Sequence, residues 1–214
     1  MPKGVTKRRP QTRAALLRAA LEVFAEHGFH AATIEQICTR AGYTRGAFYS
    51  NFASKEELFF TLFDEHSDRL AARLRALVDR MGTDEPTVER FAQMVARNEL
   101  DAEERAWYLV TTEFTLHAIR TPEAARKLAE HDARARVAIA EAVTELATRL
   151  GRQLTVDVDE FARLLVALRE GGQAQSYVEP DVYPPGELER RFLPALVSTF
   201  SDPTSAPGRH ERQA

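Results

Sequence analysis

The feature that most constrains this chain is the run from Thr33 to Lys55, TIEQICTRAGYTRGAFYSNFASK, which spells out three helix starts and one tight turn. Thr33 stands just before an apolar pattern, with Gln36 three residues on. At that spacing each side chain satisfies an orphan backbone N–H at a helix start. Ile34, Ile37, Cys38 and Ala41 recur on one helical face, and Gly42 follows where a left-handed residue ends a helix without a Cβ penalty. Thr44 is placed to cap a second short helix carrying Ala47, Phe48 and Phe52, and small Cys38 allows the two helices to cross closely. Ser54 with Glu57 repeats the capping-box spacing and opens a third, longer helix.

Once the core-facing residues are assigned, Thr44, Arg45, Gly46, Tyr49, Ser50 and Asn51 remain on the outer side of the second helix. Such a thin, hydrogen-bonding face suits a major groove, where arginine reaches guanine and asparagine reaches adenine, and Gly46 permits close approach. Ordinary exposed helix residues give the same pattern in an isolated segment, but charge supplies a second signal. Residues 1 to 55 hold nine Lys/Arg against three Glu, net +6, whereas the remainder carries 20 basic and 29 acidic residues, net −9. The positive excess therefore lies on the segment that carries the motif.

The first 65 or so residues resemble the DNA-binding domain of TetR/AcrR-type transcriptional regulators: a helix ending in AEHGF, then TIEQICTRAG, then TRGAFYSNFASKEELF. The resemblance implies that Thr33 and Lys55 grip phosphates, that Tyr49 contacts the DNA backbone, and that Arg45, Gly46, Ser50 and Asn51 lie nearest the bases. Tyr43 stands where a small aliphatic residue is usual and adds a candidate DNA contact; Asn51 stands where His is frequent.

Before the motif, residues 1 to 11 show no apolar periodicity and read as a basic arm, in which Lys7, Arg8 and Arg9 suit a minor groove. Leu16, Leu17, Ala20, Leu21 and Phe24 form the stripe of a first helix ended at Gly28. After it, Leu58 to Met81 sustain one face of a long helix from Ser54 to Gly82, a lever between the two halves. Further helical stripes follow over 86–98, 103–119, 122–150, 157–177 and the segment containing Phe192 to Phe200, without a strand signal. The expected fold is all-α with about nine helices. Residues 1–55 form the DNA-binding domain with its arm, 56–200 a helical effector-binding and dimerisation domain, and 201–214 a disordered tail.

The helix over 103–119 mixes rings and hydroxyls. Trp107, Thr111, Phe114, Thr115 and His117 are its candidates for a small-molecule pocket, because an apolar wall supplies affinity and a few polar groups set orientation. The alternative is a core helix whose threonines bond back to their own backbone. Gly171-Gly172 inside a helical stretch, with the apolar stripe Phe192 to Phe200, suggests a helix-helix dimer contact through residues 157–178 and 187–200. Completion of the monomer core is the competing reading. A two-fold dimer reads two half-sites and so matches a near-palindromic operator.

Other classes lack their signals. Cys38, the only cysteine, sits on an apolar face and reads as a buried structural thiol. His27 with His30, and Glu113 with His117, have metal-compatible spacing but no further ligands nearby in sequence, so no metal is expected. No GxSxG, P-loop or HExxH motif points to catalysis or a cofactor. No apolar run approaches a membrane span or a secretory signal, so a cytoplasmic protein is expected. The expected function is a homodimeric repressor released from operator DNA by an unidentified small-molecule effector. The alternative is a helical small-molecule-binding protein without sequence-specific DNA activity.

Overall fold

Capping chemistry sets the first helices in the computed structural model, which describes residues 5–81, 87–96 and 102–204, with side chains from residue 9 onward. Nine helices occur among the described residues: α1 (Val5–Ala31), α2 (Ile34–Ala41), α3 (Arg45–Tyr49), α4 (Lys55–Arg80), α5 (Val88–Ala96), α6 (Ala102–Arg120), α7 (Pro122–Arg149), α8 (Val158–Val178) and α9 (Glu187–Thr199). Two short strands, β1 (Arg152–Leu154) and β2 (Ser201–Pro203), accompany them. The chain divides into two compact units: Met1–Arg69 with Leu100–Ala135, and Leu70–Glu99 with Arg136–Ala214.

In the first unit, Leu16, Leu17, Ala20, Leu21 and Phe24 of α1 are buried as their spacing predicts. They join Ile37, Cys38, Phe48 and Phe52 of the motif, Leu58, Phe59, Leu62 and Phe63 of α4, and Val110 and Phe114 of α6 in one apolar core. Cys38 is buried, and desolvation pushes its thiol pKa up, which disfavours the reactive thiolate. An aromatic cluster forms the centre. Phe59 and Phe114 stack with centroids 4.0 Å apart, and Phe29 meets Phe114 edge-on at 5.0 Å.

In α1 the helix starts at Val5, so the stretch read as an arm is helical from there; residues 1–4 lie outside the described part. A segment without an apolar face extends an existing helix cheaply because nucleation has already been met by the stripe that follows. Arg9 adds a tether, its guanidinium donating to the Ser50 carbonyl at 3.3 Å.

The second unit is built on Leu77 and Val78 of α4, Met81 just after it, Phe91 and Ala92 of α5, Ala142 and Leu146 of α7, Phe161 of α8, and Leu193 and Val197 of α9. The expectation of a tail without structure from residue 201 is corrected. Ser201–Pro203 pairs antiparallel with Arg152–Leu154, Gln153 opposite Asp202. Arg152 fixes the pair, Nε donating to Ser201 Oγ at 2.7 Å and Nη2 to the Ser201 carbonyl at 2.5 Å. Strands of three residues are too short to show alternation, and their partner lies far along the chain, so neither segment signals a sheet locally. Residues 205–214 of that tail lie outside the described part.

Gly172 has an occupant within its own chain. A Cβ there would meet Leu188 and Glu189 of α9 at 3.5–3.6 Å, whereas a Cβ at Gly171 would meet nothing within 4 Å. The stripe of α9 likewise fills the core of the second unit through Leu193 and Val197, although Phe192 is 43% exposed. Among the described residues, no helix is long and apolar enough to cross a membrane.

Candidate nucleic-acid interface

The motif is assembled by side-chain caps. Thr33 Oγ1 accepts from the Gln36 N–H at 3.2 Å while Gln36 Oε1 accepts from the Thr33 N–H at 2.8 Å, a complete capping box. Gly42, at φ 74°, ends α2 in the left-handed region. The N–H of Tyr43 returns to the Cys38 carbonyl and that of Gly42 to Thr39, the paired bonds of a Schellman end. Thr44 Oγ1 then accepts from the Ala47 N–H at 3.2 Å and starts α3. At α4, Ser54 Oγ accepts from the Glu57 N–H at 3.0 Å, but the Glu57 carboxylate reaches the Ala53 N–H rather than that of Ser54. Thr33→Ala removes one half of the α2 box and is expected to cost about 1 kcal/mol, read as a lower urea midpoint.

These caps present Thr33, Tyr43, Thr44, Arg45, Gly46, Tyr49 and Ser50 to solvent, with Tyr49 51% exposed. Buried Phe48 anchors the opposite side of α3. The other two candidates turn inward. Asn51 is half-buried, its Nδ2 donating to the Ala47 carbonyl at 2.8 Å and its Oδ1 enclosed by protein. Lys55 Nζ donates to the carbonyls of Phe29, Ala32 and His30 at 2.7, 2.8 and 3.1 Å and lies 4.8 Å from the Phe29 ring centroid. All three ammonium donors thus close the end of α1 rather than facing outward, and desolvation lowers the Lys55 pKa.

Several residues that shape this surface carry no local signal. Arg45 pairs with Glu35 of α2, and the Tyr49 phenol and the Glu35 carboxylate both raise its pKa, keeping the guanidinium charged. Arg40 bridges α2 to α1 through Glu26 at 2.7 Å and Glu22 at 3.0 Å. From α6, Glu113 Oε2 accepts from the Phe29 N–H at 2.9 Å, so the bend at Gly28 that leads into α2 is held by a residue 84 positions beyond Phe29.

The pocket candidates on α6 do not share one surface. Phe114 is buried in the aromatic core, whereas Thr115 is exposed. Thr111 Oγ1 bonds back to the Trp107 carbonyl at 2.9 Å, the core-helix alternative for that residue. Trp107 stacks on His66 at 4.4 Å and His117 meets His30 edge-on at 4.4 Å. Among the described residues, no three His, Cys, Asp or Glu side chains gather as a metal site requires.

Comparison with known families decides the lineage. The profile of bacterial regulatory proteins of the tetR family matches residues 16–62, which contain the motif. A second, the C-terminal domain of BetI-type transcriptional repressors, matches residues 87–200, more than half of the chain. The chain belongs to the TetR family. Among curated members it is similar to the transcriptional activator FasR of Mycolicibacterium smegmatis, 40% identical over 67 residues, 31% of each chain. It is also similar to the transcriptional repressor KstR2 of Mycobacterium tuberculosis, 43% identical over 67 residues, 31% of this chain and 34% of the relative. The chain thus spans about a third of the length of these relatives. The FadR regulator of Bacillus subtilis, solved with stearoyl-CoA, shares the fold at TM-score 0.67 and 22% identity, over 86% of this chain and 97% of that one. This TetR-family chain therefore resembles an activator and a repressor alike in sequence.

Proposed function

We propose that this protein is a homodimeric transcriptional repressor that reads a near-palindromic operator through α2 and α3 and is released by a small-molecule effector. The carrying observation is the exposed set Thr33, Tyr43, Thr44, Arg45, Gly46, Tyr49 and Ser50 on two capped helices of the basic segment. Asn51 and Lys55 belong to the same interface as residues that hold its shape. Residues 1–55 supply the reading head and 56–200 the effector and dimer functions. Exposed Leu164, Val178 and Phe192 on α8 and α9 support an association surface there. The effector contact is assigned to α6, around half-buried Trp107, Thr111 and His117, and its ligand shifts the dimer toward a conformation whose heads no longer match the half-sites.

An electrophoretic shift with the protein's own upstream DNA, at physiological salt and with excess competitor, tests the reading. The intact protein is expected to give a competitor-resistant shift, and the Arg45→Ala, Tyr49→Ala double variant to lose it by at least about tenfold in affinity. An unchanged shift by a folded double variant overturns the assigned reading face. A folded wild-type dimer that shifts neither this DNA nor any selected sequence favours a ligand-binding protein without DNA activity.

A further inference from the structure

The acidic residues of the reading head are few, and each is paired with an arginine. Of the three carboxylates in residues 1–55, Glu22 and Glu26 are paired with Arg40, which ties α2 to α1. The third, Glu35 in the first turn of α2, pairs with Arg45, the first residue of α3. Glu35 and Arg40 lie about 140° apart around α2 at 3.6 residues per turn, so the two pairs occupy different sides of the helix. Both members of the Glu35–Arg45 pair remain 58% exposed, so the pair contributes little to folding. Its consequence is for what approaches the surface.

We propose that Glu35 is a specificity-determining residue of the DNA interface, which neutralises Arg45 toward phosphate and leaves the pair matched to a G·C-containing step. The inference rests on the DNA-reading role proposed above. A free Arg45 would add one cationic contact to any duplex, whatever its sequence. Paired with Glu35, it gains little from phosphate, because the carboxylate is repelled by the same backbone. The edge of a G·C pair satisfies both charges: guanine N7 and O6 accept from an arginine, and the cytosine N4 amine donates to a carboxylate. Glu35 thereby weakens binding to DNA in general more than binding to the operator.

The test compares wild type, Glu35→Gln and Glu26→Gln on duplexes selected from a random pool by each protein and on an unrelated duplex, over a salt series. Glu26→Gln also removes a carboxylate from an arginine, but away from α3. Glu35→Gln is expected to bind the unrelated duplex about three- to tenfold more tightly, with a salt slope steeper by about two per dimer, one for each released arginine. Its ratio of operator to unrelated affinity should fall, and a G·C preference at one position in each half-site should relax. Glu26→Gln should change neither the ratio nor the selected sequence. An unchanged ratio, slope and selected sequence in Glu35→Gln, or the same changes in Glu26→Gln, overturns the assignment of Glu35 alone. Wild type that selects no sequence overturns the DNA-reading role and this proposal together. If Glu35→Gln melts below the assay temperature, Glu35→Ala provides the same comparison.

Discussion

Phe59→Ala is expected to lower the stability of the first unit by about 3–5 kcal/mol, the cost of deleting a large ring from a closed core. Phe59 is fully buried, and its ring lies against Phe114 at 4.0 Å, Phe60 at 5.2 Å and Phe29 at 5.5 Å. Its removal empties the place where α1, α4 and α6 meet, and side chains that stack on one another cannot collapse inward without losing their own contacts. Trp107, the only tryptophan, is stacked 6.5 Å from Phe59 and reports on this unit by its fluorescence. Urea unfolding followed at Trp107 should show the midpoint falling sharply. Ile119→Ala on α6, where the residue is 75% exposed, should change the unfolding free energy by no more than about 0.5 kcal/mol. Similar losses at both positions would refute the central role given to Phe59.

Gly28→Ala should cost about 3 kcal/mol and weaken the operator binding proposed above. Gly28 sits at φ 76°, ψ 156°, a region essentially reserved for glycine, at about 1–3 kcal/mol for other residues. A Cβ there would also lie 2.6 Å from Glu113 Oε2. Moving the Glu113 carboxylate aside would unmake its bond to the Phe29 N–H, a further loss of about 1–3 kcal/mol. Thr33, the cap of α2, follows five residues later, so an error in this bend is carried into α2 and α3. Glu113→Ala removes both the obstruction and the acceptor, so the double variant should lose less than the sum of the two single variants. Strict additivity in urea unfolding would show that the glycine and the carboxylate act independently.

The structure separates residues whose role is local from those whose role depends on distant partners. Thr33, Gln36, Gly42 and Thr44 act on neighbours within a few positions, so their spacing alone gave the helix starts and the turn. The buried stripe of α1 and the anchoring ring of Phe48 follow from helical period for the same reason. Lys55 illustrates the opposite case. The family resemblance implies a phosphate contact for it, yet the end of α1 offers it three carbonyls, and a half-buried ammonium is stabilised by using all its donors. On α6 the sequence groups Trp107, Thr111, Phe114, Thr115 and His117 by type. Packing assigns Phe114 to the core and leaves Thr115 in solvent, because residues adjacent in a helix point about 100° apart.

The helical class, the caps and turn of the helix-turn-helix, the segregation of positive charge onto it and the family all follow from residue order alone. Each of these is written in residue types at short spacing, where backbone geometry leaves few alternatives. It took the folded chain to show that Glu113 holds the bend at Gly28, that Glu35 holds Arg45, that Gly172 receives α9, and that Ser201–Pro203 pairs with β1. These contacts join residues far apart in the chain or on different helices. Their existence depends on which surfaces meet once apolar faces are buried, and no local pattern records that choice.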